Sequence, residues 1–223
     1  MSQPLFSQEL FSRVPIIGII RNLTPEAVAA ILPVYRDAGL TTVEITMNTD
    51  GAAEIIRQAR DLYSGDLNIG AGTVCTKKDL KEALDAGAQF IVTPILEKKI
   101  IKACQKQEIP IFPGAFTPTE IYKAWSLGVT MVKVYPAAAM GPGYIKDLKA
   151  PLNQIKLLPT GGISLQNMAA FLKADADGLG IGGELFDKQI INAKNWPALK
   201  AHFQTFLAEL PTPMNQLTTQ PLN

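Results

Sequence analysis

The chain has 223 residues, 47% hydrophobic and 18% charged, with 21 Lys+Arg against 20 Asp+Glu for a formal net charge of +1. That balance, with no Lys/Arg-rich block, argues against nucleic acid or an anionic membrane as the main partner, because such binding rests on clustered positive charge. A small molecule is the expected ligand. Cys75 and Cys104 are the only cysteines, far apart and outside any C-x-x-C pattern, so neither a disulfide framework nor a zinc ribbon is expected, and a reducing cytoplasm fits best. The first fifteen residues carry Glu9 and Arg13 and hold no signal-type apolar stretch. Nowhere do about 18 uncharged apolar residues run together, so no membrane span is expected.

In chain order, residues 4–13 read as a short helix with Leu5, Phe6, Leu10 and Phe11 on one side, placed to close the bottom of whatever follows. Residues 14–21 read as a strand. Thr24-Pro25-Glu26 is a cap with Pro at the first helical position, and Gly39 ends that helix. Further strands are predicted at 41–47, 67–74, 90–93, 109–112, 131–136, 155–160 and 178–182, separated by helices near 50–63, 77–86, 96–107, 118–127, 144–150, 165–173 and 195–210. Eight alternating strand–helix units in about 200–250 residues predict an α/β fold of the closed (β/α)8 TIM-barrel type, one domain over residues 1–210. An open doubly wound sheet is the other candidate, but Arg21-Asn22-Leu23-Thr24 stands where its Gly-x-Gly-x-x-Gly turn would be. Residues 211–223 are polar, contain Pro and lack periodicity, and read as a disordered tail.

In such barrels the chemistry sits at the C-terminal ends of the strands. Alternation in Val43-Glu44-Ile45-Thr46-Met47 turns Glu44 and Thr46 to the interior, and alternation in Met131-Val132-Lys133-Val134-Tyr135 does the same for Lys133. The same rule sends Arg21 inward with Ile17 and Ile19, Thr73 with Ala71, and Thr160 with Leu158. One strand Lys or Glu alone is equally well explained by snorkelling or a salt bridge. Three charges gathered at one mouth make sense chiefly if something binds there.

Glycine gives the second signal. Gly161-Gly162 follows the seventh strand and Gly182-Gly183 the eighth, where such barrels commonly bind phosphate through bare backbone amides. Metal chemistry is not expected: the one histidine, His202, lies on the last helix, remote from the strand ends, and neither a zinc site nor a Ser-His pair can be assembled. A buried lysine beside a carboxylate is the arrangement needed for Schiff-base chemistry, with Arg21 helping to keep the amine neutral.

Taken together, Val43-Glu44-Ile45-Thr46, Gly70-Ala71-Gly72-Thr73-Val74, Phe112-Pro113-Gly114, Val132 to Ala137, Pro159 to Ile163 and Gly180 to Gly183 resemble the 2-keto-3-deoxy-6-phosphogluconate (KDPG) / 4-hydroxy-2-oxoglutarate (KHG) aldolases and their galactonate relatives. The likeness runs over residues 10–210. It implies that Lys133 is the Schiff-base lysine and Glu44 the general acid/base. Thr73 and Thr160 then surround the substrate carboxylate, and Gly161, Gly162, Gly182 and Gly183 form the phosphate loops. It further implies a (β/α)8 barrel, a homotrimer, no metal and no cofactor. The expected reaction is class I cleavage of a 2-keto-4-hydroxy acid to pyruvate and an aldehyde, glyceraldehyde 3-phosphate or glyoxylate; a galactonate or non-phosphorylated sugar acid is the alternative substrate, and a non-catalytic anion-binding barrel the alternative role. Two positions depart from the pattern. Asn48 replaces an Arg that helps bind the substrate anion, a charge Arg21 is placed to supply, and Glu184 replaces a phosphate-contacting Ser, where a carboxylate would repel phosphate unless it turns away.

Overall fold

The computed structural model describes residues 6–211. Strands and helices alternate: α1 (Gln8–Arg13), β1 (Ile16–Ile20), α2 (Pro25–Ala38), β2 (Thr42–Thr46), α3 (Ala52–Tyr63), β3 (Asn68–Gly72), α4 (Lys77–Asp85), β4 (Ile91–Val92), α5 (Lys98–Lys106) and β5 (Ile111–Phe112). After Pro113 come β6 (Gly114–Ala115), α6 (Pro118–Trp125), β7 (Val132–Val134), α7 (Gly141–Lys149), β8 (Leu157–Pro159), α8 (Met168–Lys173), β9 (Leu179–Ile181), α9 (Lys188–Asn192) and α10 (Trp196–Ala208). All the strand pairs are parallel. Six strands in the order β5-β4-β3-β2-β1-β9 curl as a half-barrel, and β6-β7-β8 form a second sheet. A single bridge between Thr160 and Gly180 joins the end of β8 to β9.

Sequence explains much of this locally. Thr24 caps α2 by accepting from the Ala27 amide, Pro25 opens it, and Gly39 ends it at φ 103°, a left-handed turn that glycine adopts without penalty. The fifth predicted strand, 109–112, is where the prediction and the fold part: only Ile111–Phe112 pair as β5, and beyond Pro113, which has no amide hydrogen to give the ladder, the chain pairs again as β6, which was not predicted. The helix predicted at 144–150 starts earlier, at Gly141, and α9 was not foreseen. Of the predicted 4–13 helix, Gln8–Arg13 is helical, while residues 1–5 and, of the tail, 212–223 lie outside the described residues.

Alternation produces two apolar layers. Val43, Ile45, Val132, Val134 and Leu157 join the layer between strands and helices. Ile17, Phe90, Val92, Phe112, Met131 and Leu158 fill the interior with Phe6 and Phe11. The N-terminal segment is tied at the end where the strands begin: the Ser7 amide donates to Asn68 Oδ1 (2.7 Å) and the Thr41 hydroxyl to the Leu10 carbonyl (2.8 Å). Phe6 and Phe11 thus stopper that end, as the sequence pattern implies, leaving the opposite end for ligand.

Candidate active site

Lys133 stands at the centre of β7, in register with Gly114 on one side and Leu158 on the other. Because Val132 and Val134 are taken up by the helix-facing layer, the lysine projects inward, where its surroundings are almost dry: it is 4% exposed. Burial lowers its pKa, and Arg21 pushes the same way against the pull of Glu44 and Cys75. A larger share of the amine is therefore neutral than in free lysine. The face of the Tyr135 ring lies 5.4 Å from Nζ.

Glu44 is in register with Ile19 of β1 and Gly70 of β3, and is 1% exposed. Neither of its carboxylate oxygens has a hydrogen-bond partner among the described residues. Burial raises its pKa despite the attraction of Lys133 and Arg21. A buried polar group left unsatisfied costs about 1–3 kcal/mol, more when charged, so this carboxylate is held against a cost that a purely structural residue would avoid.

Room for it comes from glycine. A Cβ on Gly70 would run into the Phe90 ring, and one on Gly72 into the Glu44 carboxylate. Gly72→Ala is therefore expected to displace Glu44 and lower kcat about 10²-fold, the order expected for an ångström-scale misplacement of a reacting group, with a smaller change in KM. Steady-state kinetics of the variant, checked by thermal unfolding for retained fold, tests this.

The same glycines correct one inference from alternation. Gly70 and Gly72 hold the interior positions of β3, and Ala71 lies in the helix-facing layer, not inward. Thr73 nevertheless reaches the mouth, because it stands past the strand end at φ 55°, where the chain turns left-handed. Its hydroxyl accepts from Arg21 Nη2 at 3.5 Å, a long contact. Thr46, although interior, spends its hydroxyl on Thr49 Oγ1 at 3.0 Å, and Thr49 in turn accepts from the Asn22 amide.

Above Lys133 opens a cleft of about 330 Å³ whose walls include Arg21, Thr160, Gly161, Gly162, Gly182 and Gly183. Gly161 and Gly162 have φ of 90° and 73°, conformations that side chains disfavour, and a Cβ on Gly162 would strike Ala138. Gly182 and Gly183 have no positive φ; they keep the opposite wall bare. Arg21, Lys133, Thr160 and the four glycines thus line one mouth, Thr73 meets it through Arg21, and Glu44 lies beneath it, outside the cleft lining proper.

Tyr135, Glu184 and Lys188 also line this cleft. Lys188 was missed because it opens the short α9 in a stretch left unassigned, although Asp187 before it is an N-cap type and accepts from the Gln189 and Ile190 amides. Glu184 is exposed and borders a neighbouring cleft as well, beside Asp187 and His202. His202 is not remote from the strand ends: its Nε2 donates to the Glu184 carbonyl at 2.9 Å, because α10 packs back over the loop after β9. Asn48 faces a separate small cleft with Asn22 and Asp50. Burial pushes the Cys104 thiol up to about 12, so it is inert. Among the described residues no group of three or more His, Cys, Asp or Glu side chains could hold a metal ion, and no helix is long and apolar enough to cross a membrane.

A parallel α/β fold that buries an amine and a carboxylate under an anion-compatible cleft defines a class of carbonyl-chemistry enzymes. The sequence profile described as "KDPG and KHG aldolase" matches residues 8–202. The 2-dehydro-3-deoxy-phosphogluconate aldolase of Haemophilus influenzae is 36% identical over 195 residues, 85% of this chain and 91% of the relative. The 2-dehydro-3-deoxy-6-phosphogalactonate aldolase of Escherichia coli is 34% identical over 176 residues, 78% and 86% respectively. A solved KDPG aldolase from Legionella pneumophila, with pyruvate captured as a covalent carbinolamine, superposes with TM-score 0.81 at 27% identity, covering 87% of this chain and 95% of that one. The chain belongs to the KDPG and KHG aldolase family.

Proposed function

We propose that the protein is a metal-independent class I aldolase that cleaves a 2-keto-4-hydroxy acid, KDPG, its galactonate epimer or 4-hydroxy-2-oxoglutarate, to pyruvate and an aldehyde. The observation that carries this reading is the burial of Lys133 and Glu44 in one dry interior, where each acts on the charge of the other and neither Glu44 oxygen is hydrogen-bonded among the described residues. Neutral Lys133 Nζ attacks the C2 ketone, and loss of water from the carbinolamine leaves a protonated imine. Glu44, directly or through one water, takes the C4 hydroxyl proton; the C3–C4 electron pair flows into the imine, and the aldehyde departs. Protonation of the enamine at C3 and addition of water at C2 release pyruvate and the free amine.

Arg21 and Thr73, with Thr160 across the mouth, are assigned to the substrate carboxylate; Gly161, Gly162, Gly182 and Gly183 are assigned to the distal anion. Arg21→Ala is expected to raise KM for the keto acid about 10–100-fold, the scale of a lost charge-assisted hydrogen bond, with kcat changed much less. Pyruvate-release kinetics with phosphorylated gluconate, phosphorylated galactonate and 4-hydroxy-2-oxoglutarate substrates tests the function itself: turnover of none of them contradicts it.

The bridge between Thr160 and Gly180, with β5 and β6 separated by the single residue Pro113, supports a closed (β/α)8 barrel as one domain over residues 1–210. Similarity to a chain of a designed protein cage made by fusing symmetric oligomeric domains (TM-score 0.80, 31% identity, 88% of this chain and 73% of that one) supports assembly into a homotrimer, which light scattering would report as the mass of three chains. Two free cysteines support a cytoplasmic setting.

A further inference from the structure

The Tyr135 side chain enters neither the hydrogen bonds nor the ion pairs of the site, yet it forms part of its wall. The side chain is 38% exposed, lines the cleft, and turns its ring face toward Lys133 Nζ at 5.4 Å from the centroid. Its position is fixed from behind: a Cβ on Gly161 would come within 3.1 Å of the ring, so the loop after β8 presses against it and holds its face to the lysine. Among the described residues its hydroxyl makes no hydrogen bond.

We propose that the Tyr135 ring is a working part of the reaction, its electron-rich face stabilising the positive charge that the Lys133 nitrogen carries in the protonated imine. An aromatic face attracts a cation near its centroid, and the attraction grows where water is excluded, as it is around this lysine. Burial disfavours the ammonium form of Lys133, and the neutral amine that attacks the ketone gains little from the ring, whereas the protonated imine formed on it is charged. The interaction is thus stronger in the charged stages than in the ground state, which is the condition for raising kcat. Glu44, Arg21 and Cys75 are the other ionisable groups acting on Lys133, and a change at Tyr135 leaves them in place.

This inference rests on Lys133 as the nucleophile, and its test separates the two. Tyr135→Phe keeps the ring and is expected to retain kcat within about twofold, whereas Tyr135→Leu is expected to lose about 5–30-fold in kcat, the range of a partly desolvated cation–π contact. Leu also removes the ring's stabilisation of the ammonium form, so the acid limb of kcat/KM attributable to Lys133 moves to lower pH while kcat falls. A merely structural residue would depress both parameters and move neither limb. Phenylalanines of increasing fluorination at position 135 keep the shape while draining the ring face of charge, and kcat is expected to fall stepwise along that series. A flat series, or Tyr135→Leu indistinguishable from Tyr135→Phe, overturns the proposal while borohydride still traps pyruvate on Lys133. Absence of any trapped adduct in the unmodified enzyme overturns both this inference and the assignment of Lys133.

Discussion

Lys133→Ala is expected to lower kcat/KM for aldol cleavage by roughly 10⁴-fold or more, because no other group can form the covalent intermediate that divides the reaction into easier steps. Arg21 is the other cation at the mouth and cannot substitute: a guanidinium stays protonated and is not a nucleophile. Lys188 lines the outer cleft, where it is exposed to solvent and away from the buried carboxylate that serves Lys133. The fold should survive, since the change removes an amine whose charged form burial already disfavours. Measuring pyruvate release alongside thermal unfolding separates the two effects. Activity within tenfold of the unmodified enzyme would show that the amine at position 133 is not the nucleophile.

Glu44→Gln is expected to move activity and stability in opposite directions. As the proton shuttle Glu44 must be ionised to accept from the C4 hydroxyl, and glutamine cannot accept that proton, so kcat should fall about 10²–10⁴-fold. In the unmodified enzyme the same group should give an acid limb, activity declining as pH falls through a pKa raised above the usual 4.5, and the limb should vanish in the variant. The stability effect follows from the same shift. A carboxyl whose folded-state pKa is raised binds its proton more tightly in the folded than in the unfolded chain. Its contribution is most favourable below the unfolded value and is lost as pH rises through the interval up to the folded value. That raised pKa already includes the attraction of Lys133 and Arg21, so the ionised group is a net burden on the fold at neutral pH. Removing its charge should stabilise by about 1–2 kcal/mol, or about 2–8 °C in Tm for a domain of this size, and the gain should disappear in acid. Loss of stability at neutral pH would mean that Glu44 is a structural ion-pair partner of Lys133.

Much of the site was legible because it obeys a single local rule. Glu44 and Lys133 each sit between β-branched apolar neighbours one residue away on either side, so period-two alternation alone aims them inward. Burial of both followed directly. Where the rule failed, it failed for identifiable reasons. β3 carries glycine at positions 70 and 72 of its interior face, so the lone side chain between them, Ala71, misled the parity that was then applied to Thr73. Thr73 arrives at the mouth through a left-handed turn at φ 55° that no periodicity announces. Pro113 interrupts a strand whose interior pattern continues on both sides of it. Lys188 and the contact between His202 and Glu184 depend on how α9 and α10 fold back over the last loop, which is tertiary packing with no local signature. Tyr135 could have been flagged, since it lies two residues beyond Lys133 and alternation puts both on one face. Its significance shows only with the ring and the amine seen together.

The central claim is covalent: pyruvate becomes attached to one lysine. Incubating the protein with pyruvate, reducing with borohydride and mapping the peptides by mass spectrometry tests it directly. A single reduced pyruvate adduct on the peptide containing Lys133, absent without pyruvate and absent in Lys133→Ala, is the result expected from the buried amine beside Glu44. An adduct on another lysine, or aldol cleavage proceeding with no adduct formed, would contradict it.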